Sequence, residues 1–239
     1  MQGIRQAIIY GLIPHELGFC GPEVKATELF MEYLAGKIGE EKVRPVLEKF
    51  EGAYPYYELI AKSNGISDPL DDQVVEAYWI GNELLENVAV DSLKEMIRVK
   101  FSRRGLLKEE IAEEKAKAVP EGAVAHHSFH VLINGPVTGR VVLEGKLLDL
   151  CRVGWGKVRE IKGERLKIKV VVEYRPLVEE KKLRLGESVE KEINWNPEIV
   201  PAAKIGSWVS FHWNQVCEVL NEEQIKNLEK YTERILAIM

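Results

Sequence analysis

The chain has 239 residues, of which 46% are hydrophobic and 30% are charged, a balance typical of folded domains and unlike that of disordered chains. Lys and Arg number 33 against 38 Asp and Glu, so the net charge of −5 provides no overall positive field for nucleic acid. Three cysteines make no disulfide framework, and the early apolar stretch AIIYGLI is far shorter than the ~20 residues that span a bilayer. We expect a cytoplasmic protein with no nucleic-acid and no membrane partner.

The first half of the chain has the apolar spacing of helices. From Pro22 to about Ala118 the apolar residues recur at intervals of three and four. Pro22 is suited to the first turn of one helix, and residues 73–90, QVVEAYWIGNELLENVAV, are expected to form another. We predict an α-helical domain over residues 1–120.

The spacing changes after Gly122, where β-branched residues become common and the apolar period falls toward two. Such short segments separated by Gly, Pro or charged turns are typical of a small barrel or sandwich. Asn221 with Gln224 three residues later indicates a capped helix at the end of the chain. We predict an α+β fold whose second domain, residues 121–239, is a β-barrel with a C-terminal helix. The candidate strands are SFHVLI, GRVVLEG, KVREI, RLKIKVVVEY, SVEKEINW and SWVSFHW.

Histidine and cysteine are concentrated in a few places. All five histidines and all three cysteines lie in four short segments, PHELGFC, HHSFH, DLCRVGWGKV and SFHWNQVC. Imidazole and thiolate are the side chains that zinc, iron and copper prefer as ligands. The clustering therefore favours a transition-metal site, although the spacing matches no known zinc pattern.

Cys20 precedes the helix start expected at Pro22, where the helix dipole would lower the pKa of its thiol and favour thiolate. A buried structural cysteine is the alternative for this position. His15 and Glu16 belong to the same segment and could contact a ligand, or His15 could be an ordinary hydrogen-bonding group.

In HHSFHVLI, strand geometry places His126 and His130 on one face and His127 on the other. A helix would also align His126 with His130. We therefore predict that His126 and His130 converge as ligands and that His127 has a supporting role. The alternative is that each imidazole satisfies a backbone carbonyl.

Two segments of the second half resemble the HypC-type chaperones of [NiFe]-hydrogenase maturation. CRVGWGKV, residues 151–158, is similar to the start of that family, with Trp155 where the family has proline. KIGSWVSFHWNQVCEVLNEEQ, residues 204–224, is similar to its histidine-bearing strand, following strand and terminal helix. An elongated hairpin around RPLVEEKKLRLGESVEKE accommodates the extra length between the two segments. The whole chain also resembles an uncharacterised archaeal and actinobacterial family.

The HypC resemblance implies an OB-like barrel core at about residues 147–239. It implies that Cys151 is an iron-binding thiolate with His212 as its polar neighbour, and that the partners are a hydrogenase large subunit or maturation proteins. Unlike the family's cysteine, which becomes the chain terminus, Cys151 is internal.

The leading hypothesis is a hydrogenase-associated or metallocentre-assembly scaffold, not an enzyme. It binds iron or another transition metal through Cys151 and His212, with Cys20, His126 and His130 in a shared cleft. One alternative is a metal-dependent enzyme that uses Glu16 as acid or base. Another is a protein-interaction module whose His and Cys residues are structural.

Overall fold

The structure, a computed structural model, describes residues 2–22, 26–102, 106–163 and 168–239. It is α+β, with a helical N-terminal part, a five-stranded sheet and a C-terminal helix, as the sequence predicts. None of the helices in these ranges combines the length and the apolar character needed to cross a membrane.

The helices of the first half follow one another with short connections. A 3₁₀ turn at Glu83–Asn87 and a π-helical segment at Ile97–Phe101 interrupt the α-helical series. The α-helices are α1 Gln2–Glu16, α2 Thr27–Leu34, α3 Glu40–Leu47, α4 Tyr54–Ser63, α5 Asp72–Trp79, α6 Val90–Met96 and α7 Glu109–Lys117.

Two helix predictions need correction. The single helix expected over residues 73–90 is broken after Trp79, because Gly81 has a φ of +98° and the Asn82 side chain accepts a hydrogen bond from the Leu84 N–H to start a new turn. The helix expected from Pro22 begins at Thr27, and residues 23–25 lie outside the described residues.

The second half begins with further helical segments where strands were expected. SFHVLI is helical, in α8 His127–Phe129 and a π-helical segment at His130–Asn134. GRVVLEG forms no strand and leads into α9 Lys146–Cys151. The β-branched residues of SFHVLI favoured a strand, but the segment is helical. It ends at Gly135, whose φ of +70° is typical of a residue that terminates a helix.

The sheet follows directly on α9. Its pairings run β1–β2–β5–β7–β6 and return from β6 to β1, so the strands form a closed ring. β3 and β4 form a separate hairpin, as expected for the extra length in this region. The start of RLKIKVVVEY, residues 165–167, lies outside the described residues. The strands are β1 Gly154–Lys162, β2 Lys169–Tyr174, β3 Leu177–Glu179, β4 Leu183–Leu185, β5 Val189–Asn194, β6 Trp208–His212 and β7 Gln215–Val219.

The C-terminal helix, α10 Glu222–Ala237, is confirmed. Its capping box is formed as predicted: the Asn221 side chain accepts from the Gln224 N–H, and the Gln224 side chain accepts from the Asn221 N–H. The helix packs against α8, through the Ser128 and Thr232 hydroxyls 3.1 Å apart. One buried cluster extends from Ile4 to Ile235, so apolar packing is continuous across residue 120. The boundary between residues 1–120 and 121–239 stays a prediction.

A buried ion pair joins α9 to the sheet. Arg152 is 1% exposed, and its guanidinium donates to Asp149 and to the Val153 and Arg175 carbonyls. The Asp149 carboxylate also accepts from the Tyr174 hydroxyl and the Leu177 N–H, both at 2.9 Å. All these bonds converge on the point where the chain leaves Cys151 for β1.

Asp149→Ala leaves the Arg152 guanidinium buried without its counter-charge. We expect the free energy of unfolding to fall by about 3–5 kcal/mol, because removing one partner of a buried pair uncovers a desolvated charge. Glu180→Ala is the matched control, since it breaks the exposed Arg184–Glu180 pair and should cost at most about 1 kcal/mol. Urea unfolding at pH 7 measures both, and equal losses would contradict the assigned role of the pair.

Candidate metal centre

Three buried side chains from distant parts of the chain converge between the helices and the sheet. His127 begins α8, Cys151 ends α9 and His212 ends β6. One potential ligand atom from each lies within 4.8 Å of the others. If the three ligand atoms moved slightly closer together, one zinc ion between them could bind all three. Zinc bonds to nitrogen and sulfur are roughly 2.0–2.3 Å long.

The local backbone explains why Cys151 and His212 are neighbours. β6 turns into β7 through Trp213 and Asn214, whose φ values of +50° and +58° are those of a two-residue hairpin turn. The Trp213 N–H in this turn donates to the Leu150 carbonyl at 2.9 Å. The turn thus holds the end of β6 against the end of α9.

Hydrogen bonds orient both imidazoles. His212 Nδ1 lies 2.7 Å from the Tyr10 carbonyl, and His127 Nε2 lies 2.8 Å from the Cys151 carbonyl. A carbonyl only accepts, so these nitrogens carry the hydrogens and leave His212 Nε2 and His127 Nδ1 with free lone pairs. Metal-binding histidines are held in this way, with the second ring N–H on a carbonyl or carboxylate.

The two ring nitrogens with free lone pairs, His212 Nε2 and His127 Nδ1, have different surroundings. His212 Nε2 is buried and has no hydrogen-bond partner in the part of the chain that the structure describes. His127 Nδ1 accepts from the Tyr78 hydroxyl at 3.1 Å, and that hydroxyl lies 3.4 Å from the Gly52 carbonyl. Because Tyr78 has this second acceptor within reach, a rotation of its hydroxyl frees Nδ1 without leaving the O–H unpaired.

Burial sets the protonation states of the three groups. It lowers the pKa of His212 to about 4 and that of His127 well below its usual value. It also raises the pKa of the Cys151 thiol well above its usual value, with Cys20 adding to the rise and the Trp213 indole opposing it. At neutral pH both imidazoles are therefore neutral and the thiol keeps its proton.

A small, partly open cavity of about 40 Å³ adjoins the three groups. Cys20 and His130 line it as well, so the structure brings together four of the five residues expected to share a cleft. The rest of its wall is largely apolar and includes Phe50, Trp79, Val137 and Trp213.

The histidine cluster is arranged differently from the prediction. Because the segment is helical, His127 and His130 are three residues apart on one face and both line the cavity. His126 precedes the helix as its cap, accepts from the Ser128 N–H and packs on Tyr231 outside the cavity wall. The sequence signal for a helical segment was Gly135, which follows the apolar run after one residue, Asn134.

The expected electrostatics of Cys20 also need correction. The position is not a helix start, and burial raises the pKa of its thiol to about 12, with Glu51 adding to the rise and Arg140 opposing it. His15 is buried behind it, where Nε2 accepts from the Ala26 N–H and Nδ1 lies 3.2 Å from the Cys20 carbonyl. His15 therefore positions the Cys20 backbone.

The other supporting residues lie apart from the cavity wall. Glu16 is exposed at the end of α1. Trp155 is half-buried on β1, with the Arg152 guanidinium 5.4 Å from its ring centre. In the described part of the chain neither side chain lines the cavity.

The segment from 136 to 143 closes one side of the cavity. Thr138 donates to the Phe19 carbonyl at 3.1 Å, and Arg140 donates to the Gly21 carbonyl and the Glu51 carboxylate, both at 2.7 Å. These bonds tie the segment to the chain on either side of Cys20. A ligand that enters from this side must displace the segment.

Comparison with protein families matches residues 2–239 to a family of unknown function, DUF6390. The chain belongs to this DUF6390 family. Searches of curated proteins and of solved structures found no match. The assignment of His127, Cys151 and His212 as a candidate metal centre therefore rests on the geometry of this structure alone.

The buried histidines should make this protein acid-sensitive. The folded-state pKa is about 3 for His126 and about 4 for His130 and His212, against ~6.5 in an unfolded chain. The unfolded state therefore binds more protons as the pH falls below ~6.5, and unfolding becomes easier by up to ~1.4 kcal/mol per pH unit for each histidine.

Urea unfolding of the metal-free protein between pH 7 and pH 5 measures this dependence. We expect the free energy of unfolding to fall steeply across the range and the slope to be shallower in His126→Gln, which removes one buried imidazole. A free energy of unfolding that stays constant from pH 7 to pH 5 would contradict the assigned neutral state.

Proposed function

We propose that this protein binds one transition-metal ion through His127 Nδ1, Cys151 Sγ and His212 Nε2 and serves in metallocentre assembly. Two observations carry the proposal: one ligand atom each of His127, Cys151 and His212 lies within 4.8 Å of the others, and His212 Nε2 is buried with no hydrogen-bond partner among the described residues. A buried polar atom without a partner is costly, and a metal ion would satisfy it.

The donor set indicates the class of metal. Two imidazoles and one thiolate suit zinc, iron, copper, nickel or cobalt, whereas magnesium and calcium prefer oxygen ligands. Iron or another transition metal is therefore the proposed cargo.

The role in assembly rests on the HypC resemblance. Only Arg152 and Val153 separate Cys151 from the first strand of the ring, and His212 ends a late strand. These are the positions that the resemblance assigns to the cysteine and the histidine. Their closeness supports carrying these two roles over. The partner proposed on this basis is a protein that receives the metal, such as an immature hydrogenase large subunit or another maturation protein.

The internal position of Cys151 changes how such a scaffold would work. Cys151 is internal to the chain, is only 7% exposed and lines the cavity, so its thiol cannot reach a partner as a mobile terminal arm. Loading and release then require the segment from 136 to 143 to move. Breaking the Arg140 contacts with Gly21 and Glu51 is the step that a partner protein would promote.

The enzyme alternative has less support. Glu16, its expected acid or base, is exposed and away from the cavity wall. General acid–base catalysis needs the group within hydrogen-bond reach of the reacting atoms. The assembly role is therefore preferred.

Metal analysis of anaerobically purified protein tests the proposal. We expect about one ion per chain, retained in Cys217→Ser and lost in Cys151→Ser, since a tetrahedral site cannot be held by two imidazoles alone. Cys217 is the matched control because its thiol is also buried but lies outside the cavity wall, where it donates to the Gln215 carbonyl. Equal metal content in the two variants would contradict the assignment of Cys151.

Metal binding should also release protons. The neutral Cys151 thiol must lose its proton to bind, whereas His127 and His212 are already neutral, so about one proton per ion is expected at pH 7. Titration with zinc in weakly buffered indicator dye measures the release. Zinc binding without proton release would exclude a thiolate ligand.

A further inference from the structure

The three proposed ligands leave one side of the ion uncovered. Cys20 and His130 line the same cavity, but neither belongs to the group of ligand atoms within 4.8 Å of one another. An ion with three protein ligands keeps a fourth, open position when its geometry is tetrahedral. That position would face the cavity, which is the open space beside the three groups.

The cavity limits the size of any ligand at that position. Its volume is about 40 Å³, and one water molecule needs at least about 10–15 Å³ on the same measure. There is room for roughly three water-sized groups. The largely apolar wall, with Phe50, Trp79 and Trp213, offers few competing hydrogen bonds.

His130 also lines the cavity, but it is not one of the three proposed metal ligands. Its Nδ1 lies 3.3 Å from the Tyr56 hydroxyl, and its Nε2 points toward Gly52, where an added Cβ would lie 3.3 Å away. When the Tyr56 hydroxyl donates to Nδ1, the neutral ring carries its hydrogen on Nε2. Gly52 and His130 both line the cavity, so this N–H is placed at its edge.

We propose that the metal takes, at its open position, a small exogenous ligand of at most three non-hydrogen atoms, and that His130 Nε2 donates a hydrogen bond to it. The inference rests on the proposed metal site and deepens it by naming the class of ligand. Water, hydroxide and small linear anions meet the size limit, whereas ring compounds exceed it.

Cobalt-loaded protein tests the proposal, with azide as the probe and imidazole as the size control. The visible spectrum of Co²⁺ reports its coordination. We expect azide to change the spectrum saturably and imidazole, with five ring atoms, to leave it unchanged. Binding of both compounds would overturn the size limit.

Variants of His130 test the hydrogen bond. His130→Phe should weaken azide binding about tenfold or more, as expected for the loss of a hydrogen bond to a charged group. His130→Gln keeps an N–H donor and should restore part of the affinity, and it also replaces His130→Phe should that variant fail to fold. His126→Gln, outside the cavity wall, is the control and should bind azide as the wild type does. Equal azide affinity in all of these proteins would overturn the role of His130.

Cys20 provides the test that separates this inference from the metal site itself. If the Cys20 thiol closed the fourth position, cobalt would bind, azide would not change the spectrum of the wild type, and azide would bind only to Cys20→Ser. That result overturns the open position and leaves the metal site standing. Failure of the wild type to bind cobalt would overturn both proposals.

Discussion

The guanidinium of Arg152 is buried at the junction of α9 and β1. The candidate metal centre depends on the hydrogen bonds that this guanidinium donates. Asp149 and the carbonyls of Val153 and Arg175 meet those donors. These bonds fix the end of α9, and with it the position of Cys151, against the ring of strands. A charged side chain without water must find such partners, so the surrounding backbone has little freedom.

Desolvation then determines the chemistry of the centre. Burial behind a largely aromatic wall removes His127, His212 and Cys151 from bulk solvent, so the charged forms of all three are disfavoured. The metal-free centre is consequently a set of neutral donors, two of them with their second ring nitrogen already held by a carbonyl. Such preorganisation lowers the cost of ordering the ligands when an ion binds.

Much of the fold could be predicted from the sequence because its signals are local. The helical period of the first half and the Asn221–Gln224 capping box correspond to observed elements. The exception is the segment around 127–134, for which the β-branched residues predict a strand. In the structure this segment packs against α9 and α10 and is helical. The exchange of His126 and His127 has another cause, because a helix was also expected to align His126 with His130. His126 precedes α8 as its N-cap, so its ring does not share the face of His127 and His130.

The site itself could be predicted only in part. The HypC resemblance predicted that Cys151 and His212 are neighbours. The pKa of the Cys20 thiol could not be predicted, because it depends on burial that no local sequence pattern reveals. The carbonyl partners of the imidazoles also come from residues far away in the sequence, as with Tyr10 and His212. Tertiary contacts of this kind determine tautomers and free lone pairs, and they are invisible in a linear pattern.

X-ray absorption at the metal edge of the loaded protein tests the central claim most directly. The account predicts one sulfur at about 2.3 Å and two imidazole nitrogens at about 2.0–2.1 Å, with the fourth ligand a light atom, distances that are typical of zinc. A spectrum with only oxygen and nitrogen neighbours, or one without imidazole scattering, would contradict a centre built from His127, Cys151 and His212.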